Sequence, residues 1–214
     1  MDKQKNIRVI IFDFDGTLIR LNLNGDRIRE KLTSYFQKFG LDLYIRPIYP
    51  RIFEALKKLG KTRTDEEVKK IRQEAYALME KEELKSLENA ELVSGAKEVL
   101  DQIKKENIKI AIVSVNGRAV IKETFKKFGF TVPDQIVSRD DLSVVKPDLK
   151  VGEYVLKQLK ALPHEAMLVG DSDYDMDLAS KLGIKSVWLR SQGKLEYTNP
   201  DITIDELKEV LEII

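Results

Sequence analysis

Apolar, β-branched residues gather in five runs that end abruptly in polar or turn residues, as strands buried on both faces do. These runs are Arg8–Phe14, Ile108–Ser114, Gln135–Ser138, Ala166–Gly170 and Lys185–Leu189. Between the later runs the apolar positions take a helical period, at about Ala96–Lys105, Ala119–Phe128, Leu149–Leu159 and Met176–Leu182. Strand–helix alternation predicts an α/β fold, a parallel sheet with helices on both faces. Glycines after Phe128 and Leu182 predict helix ends there. Thr203, with Glu206 three residues on, predicts a last short helix that starts with a capping box.

The interval from Ile19 to about Ala90 carries no strand-like run. Ile28, Leu32, Tyr35, Phe36 and Phe39 form one helical stripe, and Ile52, Phe53, Leu56 and Leu59 a second that stops at Gly60. Thr64 and Glu67 predict a capping box for a third helix through Val68, Ile71, Ala75 and Leu78. An all-helical module therefore interrupts the α/β pattern just after its first strand.

Composition narrows the function classes. Lys and Arg number 37 against 36 Asp and Glu, so there is no cationic excess to drive general nucleic-acid binding. The absence of cysteine excludes disulfides and thiolate metal sites. Met1–Asn6 is polar, and no window approaches the roughly 18 apolar residues of a membrane span. The chain reads as soluble and cytoplasmic, without a membrane partner.

Candidate chemistry lies where the apolar runs end. The first run leads into Asp13-Phe14-Asp15-Gly16-Thr17. Residues two apart on a strand share a face, so Asp13 and Asp15 would crowd each other unless a cation sits between them. A hard divalent ion such as Mg²⁺ suits such oxygen donors. The second segment ends in Ser114-Val115-Asn116-Gly117. A hydroxyl ahead of a helix start suits an anion, and Ser114 or Asn116 could equally cap that helix. In the third, Lys146-Pro147-Asp148, the lysine could offset carboxylate repulsion, and the proline could open the following helix. The fourth is Gly170-Asp171-Ser172-Asp173-Tyr174-Asp175. Asp171 falls at a strand end and Asp175 in the first helical turn, where the dipole favours a carboxylate. In a parallel sheet these segments meet at one edge, where ligands bind in open α/β folds.

Taken in order, the segments resemble the four motifs of the haloacid dehalogenase superfamily, phosphatase-like branch. The resemblance spans roughly Met1–Leu18 and Glu91–Ile214. The helical interval resembles that superfamily's first class of cap, as in phosphoglycolate phosphatase-like members. It implies a Rossmann-like three-layer core of residues 1–18 and 91–214, with a helical cap of residues 19–90 inserted after the first strand. It also implies that Asp13 is the nucleophile and Asp15 the proton carrier of a phosphatase passing through an aspartyl-phosphate. Mg²⁺ would be held by Asp13, the Asp15 carbonyl, Asp171 and Asp175, the last directly, through water or through Ser172. Thr17, Ser114, the backbone N–H of Val115 and Lys146 would bind a small phosphorylated metabolite. Relatives often have Asn directly after the second-motif hydroxyl, where Val115 stands here, and an acidic residue near Arg20. Retention of Asp15 favours phosphate esters, since halide departure needs no proton. A phosphosugar mutase of the β-phosphoglucomutase kind and a non-catalytic regulatory protein on the same fold are the alternatives. His164 and Trp188 are assigned no role, Trp188 being read as core. Arg20, Asn22, Asn24 and Arg27 fit either an anionic substrate or a solvated linker.

Overall fold

The computed structural model describes residues 7–190, 195–196 and 198–214, so the polar stretch Met1–Asn6 lies outside the described residues. Contacts divide the chain into two compact units, Asn22–Glu88 and Met1–Leu21 with Asn89–Ile214.

The first of these is helical. It holds α1 (Gly25–Gln37), α2 (Ile48–Leu59) and α3 (Asp65–Ser86). Most of the stripe residues meet in one core, where Leu32 and Phe36 pack with Ile52, Leu56, Ile71 and Ala75, joined by Ala55 and Met79; Phe53 of the second stripe is half-buried outside it. The Thr64 amide donates to Glu67 Oε2 at 2.8 Å and the Glu67 amide to Thr64 Oγ1 at 3.3 Å, closing the expected capping box. Asn24 is the N-cap of α1, its Oδ1 accepting from the Arg27 N–H at 3.0 Å. The Arg27 side chain lies 3.1 Å from Glu82, which also takes Lys31 at 2.5 Å and Lys85 at 3.3 Å. Asn24 and Arg27 thus have structural partners within their own unit.

The second unit is built on six parallel strands. In chain order they are β1 (Val9–Phe12), β4 (Lys109–Val113), β5 (Gln135–Val137), β6 (Ala166–Gly170), β7 (Lys185–Leu189) and β8 (Ile202–Ile204). They lie in the order β5-β4-β1-β6-β7-β8. Its helices are α4 (Ala96–Lys105), α5 (Arg118–Phe128), α6 (Leu149–Leu159) and α7 (Asp173–Leu182). Val9 and Ile11 pack with Val151 and Val155 of α6 and Met176 and Ala179 of α7. Strand alternation sends Ile10 and Phe12 to the opposite face, where they too are fully buried. Both faces of the sheet are therefore covered. Strand order runs outward from β1 in both directions, and the carboxyl ends beside such a reversal form the ligand crevice of open sheets.

Three local expectations are corrected. The predicted helix start at Thr203 is strand β8, paired with β7 through Val187↔Ile202 and Leu189↔Ile204. Alternating β-branched residues find more burial in the sheet, and Ile204 is 3% exposed. Glu206 instead precedes a 3-10 turn over Leu207–Glu212, with its N–H donating to Glu209 Oε1 at 2.7 Å. Next, the interval after Leu18 is not free of strand. β2 (Ile19–Arg20) pairs antiparallel with β3 (Glu91–Leu92), too short a pairing to leave a period in the sequence. Finally, β1 stops at Phe12, so Asp13 and Asp15 stand beyond the strand. No helix among the described residues is long and apolar enough to cross a membrane.

Candidate active site

Asp13 is the first residue past β1, and its N–H donates to the Val169 carbonyl of β6 at 2.9 Å. That bond brings the ends of β1 and β6 together, and Asp171 follows β6 directly. Asp175 sits in the first turn of α7, with its Oδ2 accepting from the Ser172 hydroxyl at 2.5 Å and the Ser172 amide at 3.3 Å. Oxygens from Asp13, Asp171 and Asp175 lie within 4.8 Å of one another. Glycine permits this crowding at two places. Gly16 has φ +91°, and a Cβ there would overlap the Asp171 carboxylate. A Cβ on Gly170 would overlap Asp175.

The ammonium of Lys146 stands between two of the acids, 2.5 Å from Asp13 Oδ1 and 2.6 Å from Asp175 Oδ1. Burial alone would lower its pKa, but the two carboxylates outweigh burial and hold it above the ordinary lysine value. Burial, then the Asp175 charge, pushes Asp13 well above the ordinary carboxylate range despite Lys146. The same two causes, in that order, push Asp171 up to about 7. Three acids share one lysine, so the cluster is short of positive charge.

Asp15 is not in this cluster. Its Oδ1 accepts from the Leu21 N–H at 2.9 Å, beyond the turn in which Gly16 takes a positive φ. The crowding of Asp13 expected from the sequence is realised with Asp171 and Asp175 instead. Thr17 Oγ1 is buried and has no hydrogen-bond partner among the described residues. Ser114, just past β4, donates from Oγ to Asn116 Oδ1 at 2.8 Å and accepts from the Asn116 N–H at 3.1 Å. Neither residue caps α5, whose N-cap is Gly117 and whose Arg118 N–H goes to Asp140 Oδ2 at 2.8 Å. Pro147 does not open α6 either. Asp148 caps that helix by accepting from the Lys150 N–H at 3.0 Å.

Several further residues around these groups carry little signal in the sequence. Arg139, completely buried after β5, donates from Nη1 to the Val115 carbonyl at 3.1 Å. Trp188 of β7, read as core, is half-buried and donates its indole N–H to the Asp171 carbonyl at 3.2 Å. Lys181 of α7 donates to the Pro147 carbonyl at 3.2 Å and pairs with Asp177 at 2.8 Å. A lone arginine or lysine in a polar stretch gives no periodic signal. Asp173, the first residue of α7, accepts from the Thr198 hydroxyl at 2.6 Å.

Hard oxygen donors, two of them buried and held close by backbone geometry, fit a divalent cation better than the single lysine present. The two upward-shifted carboxylates support that fit, since a cation would favour their ionised forms.

Fold and site together are an open α/β sheet whose carboxyl edge gathers three carboxylates, a lysine and a hydroxyl. The sequence model of the family described as haloacid dehalogenase-like hydrolase matches residues 10–189, and the chain belongs to that family and is a hydrolase. It is 27% identical to pyrophosphatase PpaX of Halalkalibacterium halodurans, over 97% of each chain. The corresponding Bacillus cereus protein is also 27% identical, over 97% of this chain and 96% of that one. Among solved structures, a predicted phosphoglycolate phosphatase from Haemophilus somnus superposes with a TM-score of 0.64 at 20% identity, over 100% and 99% of the two chains. CbbY from Rhodobacter sphaeroides in complex with phosphate gives 0.67 at 18%, over 95% and 96%. The chain is thus a family hydrolase related in sequence and fold to phosphatases.

Proposed function

We propose that this protein is a Mg²⁺-dependent phosphatase acting on a small phosphorylated metabolite through an aspartyl-phosphate. The observation that carries the reading is the convergence of Asp13 with Lys146, Asp171 and Asp175 at the sheet edge. Asp13 attacks phosphorus and displaces the leaving oxygen, to which Asp15 gives a proton. Asp15 then takes a proton from water as the water attacks the aspartyl-phosphate, releasing phosphate and restoring Asp13. Lys146 fixes the Asp13 carboxylate and balances charge. The Ser114 turn and the Thr17 hydroxyl bind phosphoryl oxygens. Asp13, the Asp15 carbonyl and Asp171 would hold the metal, with Asp175 in support through Ser172 and Lys146. Bound there, the ion would neutralise phosphoryl charge and favour the ionised form of Asp13. The helical unit, residues 19–90 in the sequence reading, serves in this proposal as the cap that selects the leaving group.

Inorganic pyrophosphate is the second substrate in this reading, favoured by relatives aligned over nearly the whole chain that bear the name pyrophosphatase. A screen of phosphorylated metabolites and pyrophosphate, with Mg²⁺ and with EDTA, tests both. Hydrolysis that requires metal and falls at least about 10⁴-fold in Asp13→Asn, some 5.5 kcal/mol of barrier, is expected. Unchanged turnover by Asp13→Asn would overturn the mechanism. Conversion of a hexose 1-phosphate to its isomer without phosphate release would mark a mutase.

A further inference from the structure

Arg139 heads the largest fully buried side chains of the described residues, and it lies beside the second-motif turn. Taking a guanidinium out of water costs several kcal/mol, and arginine does not escape by losing its proton. Its backbone N–H donates to the Asn116 carbonyl at 3.4 Å, and its Nη1 to the Val115 carbonyl at 3.1 Å. One residue thus grips two successive carbonyls of the Ser114–Gly117 turn. Asp140 stands 3.9 Å from the Arg139 Nε, beyond hydrogen-bond distance, and its Oδ2 accepts from the Arg118 N–H at 2.8 Å. Asp141 accepts from the Ser138 hydroxyl at 2.6 Å and lies 2.6 Å from Arg118 Nη2. The turn Ser138-Arg139-Asp140-Asp141 therefore clamps the turn after β4 from the neighbouring strand end.

We propose that Arg139 is a positioning residue for phosphoryl binding, fixing the Ser114–Gly117 turn through its carbonyls and adding a permanent buried positive charge beside it. The inference rests on the reading above that this turn takes a phosphoryl oxygen. Geometry and charge are separable. Lysine keeps the charge but lacks the planar fork that can serve several acceptors at once, and methionine keeps much of the volume with neither.

The test compares wild type, Arg139→Met and Arg139→Lys in kcat and KM for p-nitrophenyl phosphate, and in competitive inhibition by inorganic phosphate. In Arg139→Met, KM and the phosphate inhibition constant should rise at least about tenfold, the order expected for losing one charge at an effective dielectric near 20. Arg139→Lys should recover much of the phosphate affinity, with kcat below that of wild type because the lysine cannot hold the turn as the fork does. A phosphate inhibition constant within about twofold of wild type in folded Arg139→Met would overturn the proposal, whatever happened to Tm. Should neither variant fold, the wild type decides. The buried guanidinium Nε–H resonance should shift on saturation with inorganic phosphate, and an unmoved resonance counts against the role. A wild type that neither hydrolyses esters nor binds phosphate would instead sink the functional reading itself.

Discussion

The two units bury charge for different ends. In the helical unit Glu82 is only 8% exposed, yet Arg27, Lys31 and Lys85 reach it with side chains 54%, 32% and 50% exposed. That charge stays in contact with partners that water screens, so it contributes little and costs little. At the sheet edge, Asp13, Lys146 and Asp175 are all buried together, where desolvation is severe and pairing must be close. Buried charge with solvated partners is ordinary architecture. Acids held together away from water, with too few cations, are expensive to fold and suited to binding a charged ligand.

The contrast can be broken at three points, in falling order of effect. Lys146→Met leaves Asp13 and Asp175 without their shared cation. Urea unfolding without Mg²⁺ should show a loss of about 3–5 kcal/mol, partly regained when Mg²⁺ is added. Asp141→Asn should cost about 1–2 kcal/mol at neutral pH. Burial works against the Asp141 carboxylate, but bonds from Arg118 and from the Ser138 hydroxyl and amide hold its pKa below the ordinary value. With the folded value below the unfolded one, its stabilisation is complete above about pH 4 and is lost as pH falls through the folded value. Denaturant melts from pH 6 to pH 2 should therefore be flatter for the variant. Glu82→Gln should cost less than about 1 kcal/mol and lose most of that effect in high salt. A larger loss would show that the helical unit too depends on buried charge.

Much of this was legible in the sequence because each site segment is the abrupt end of a long apolar run. Asp13, Ser114 and Asp171 could be placed at strand ends from pattern alone, and the parallel sheet then brings them together. Strand β8 is hidden in the sequence because Thr203 and Glu206 imitate a helix start, whereas pairing with β7 decides the matter through distant residues. The Asp15 carboxylate is held by the Leu21 N–H across a turn with a positive φ at Gly16, a contact that periodicity does not encode. Arg139 was invisible for another reason. In Ser138-Arg139-Asp140-Asp141 every residue looks solvated, and only the fold turns the arginine inward.

The bond from Trp188 to the Asp171 carbonyl has a practical consequence. The chain contains a single tryptophan, so all tryptophan emission, excited selectively over tyrosine, comes from an indole tethered to the backbone of an acid at the sheet edge. The molecule carries its own optical gauge at that point. A cation drawn to Asp171 would perturb the indole hydrogen bond and so the colour and intensity of the fluorescence, allowing occupancy to be followed without a label or a substrate.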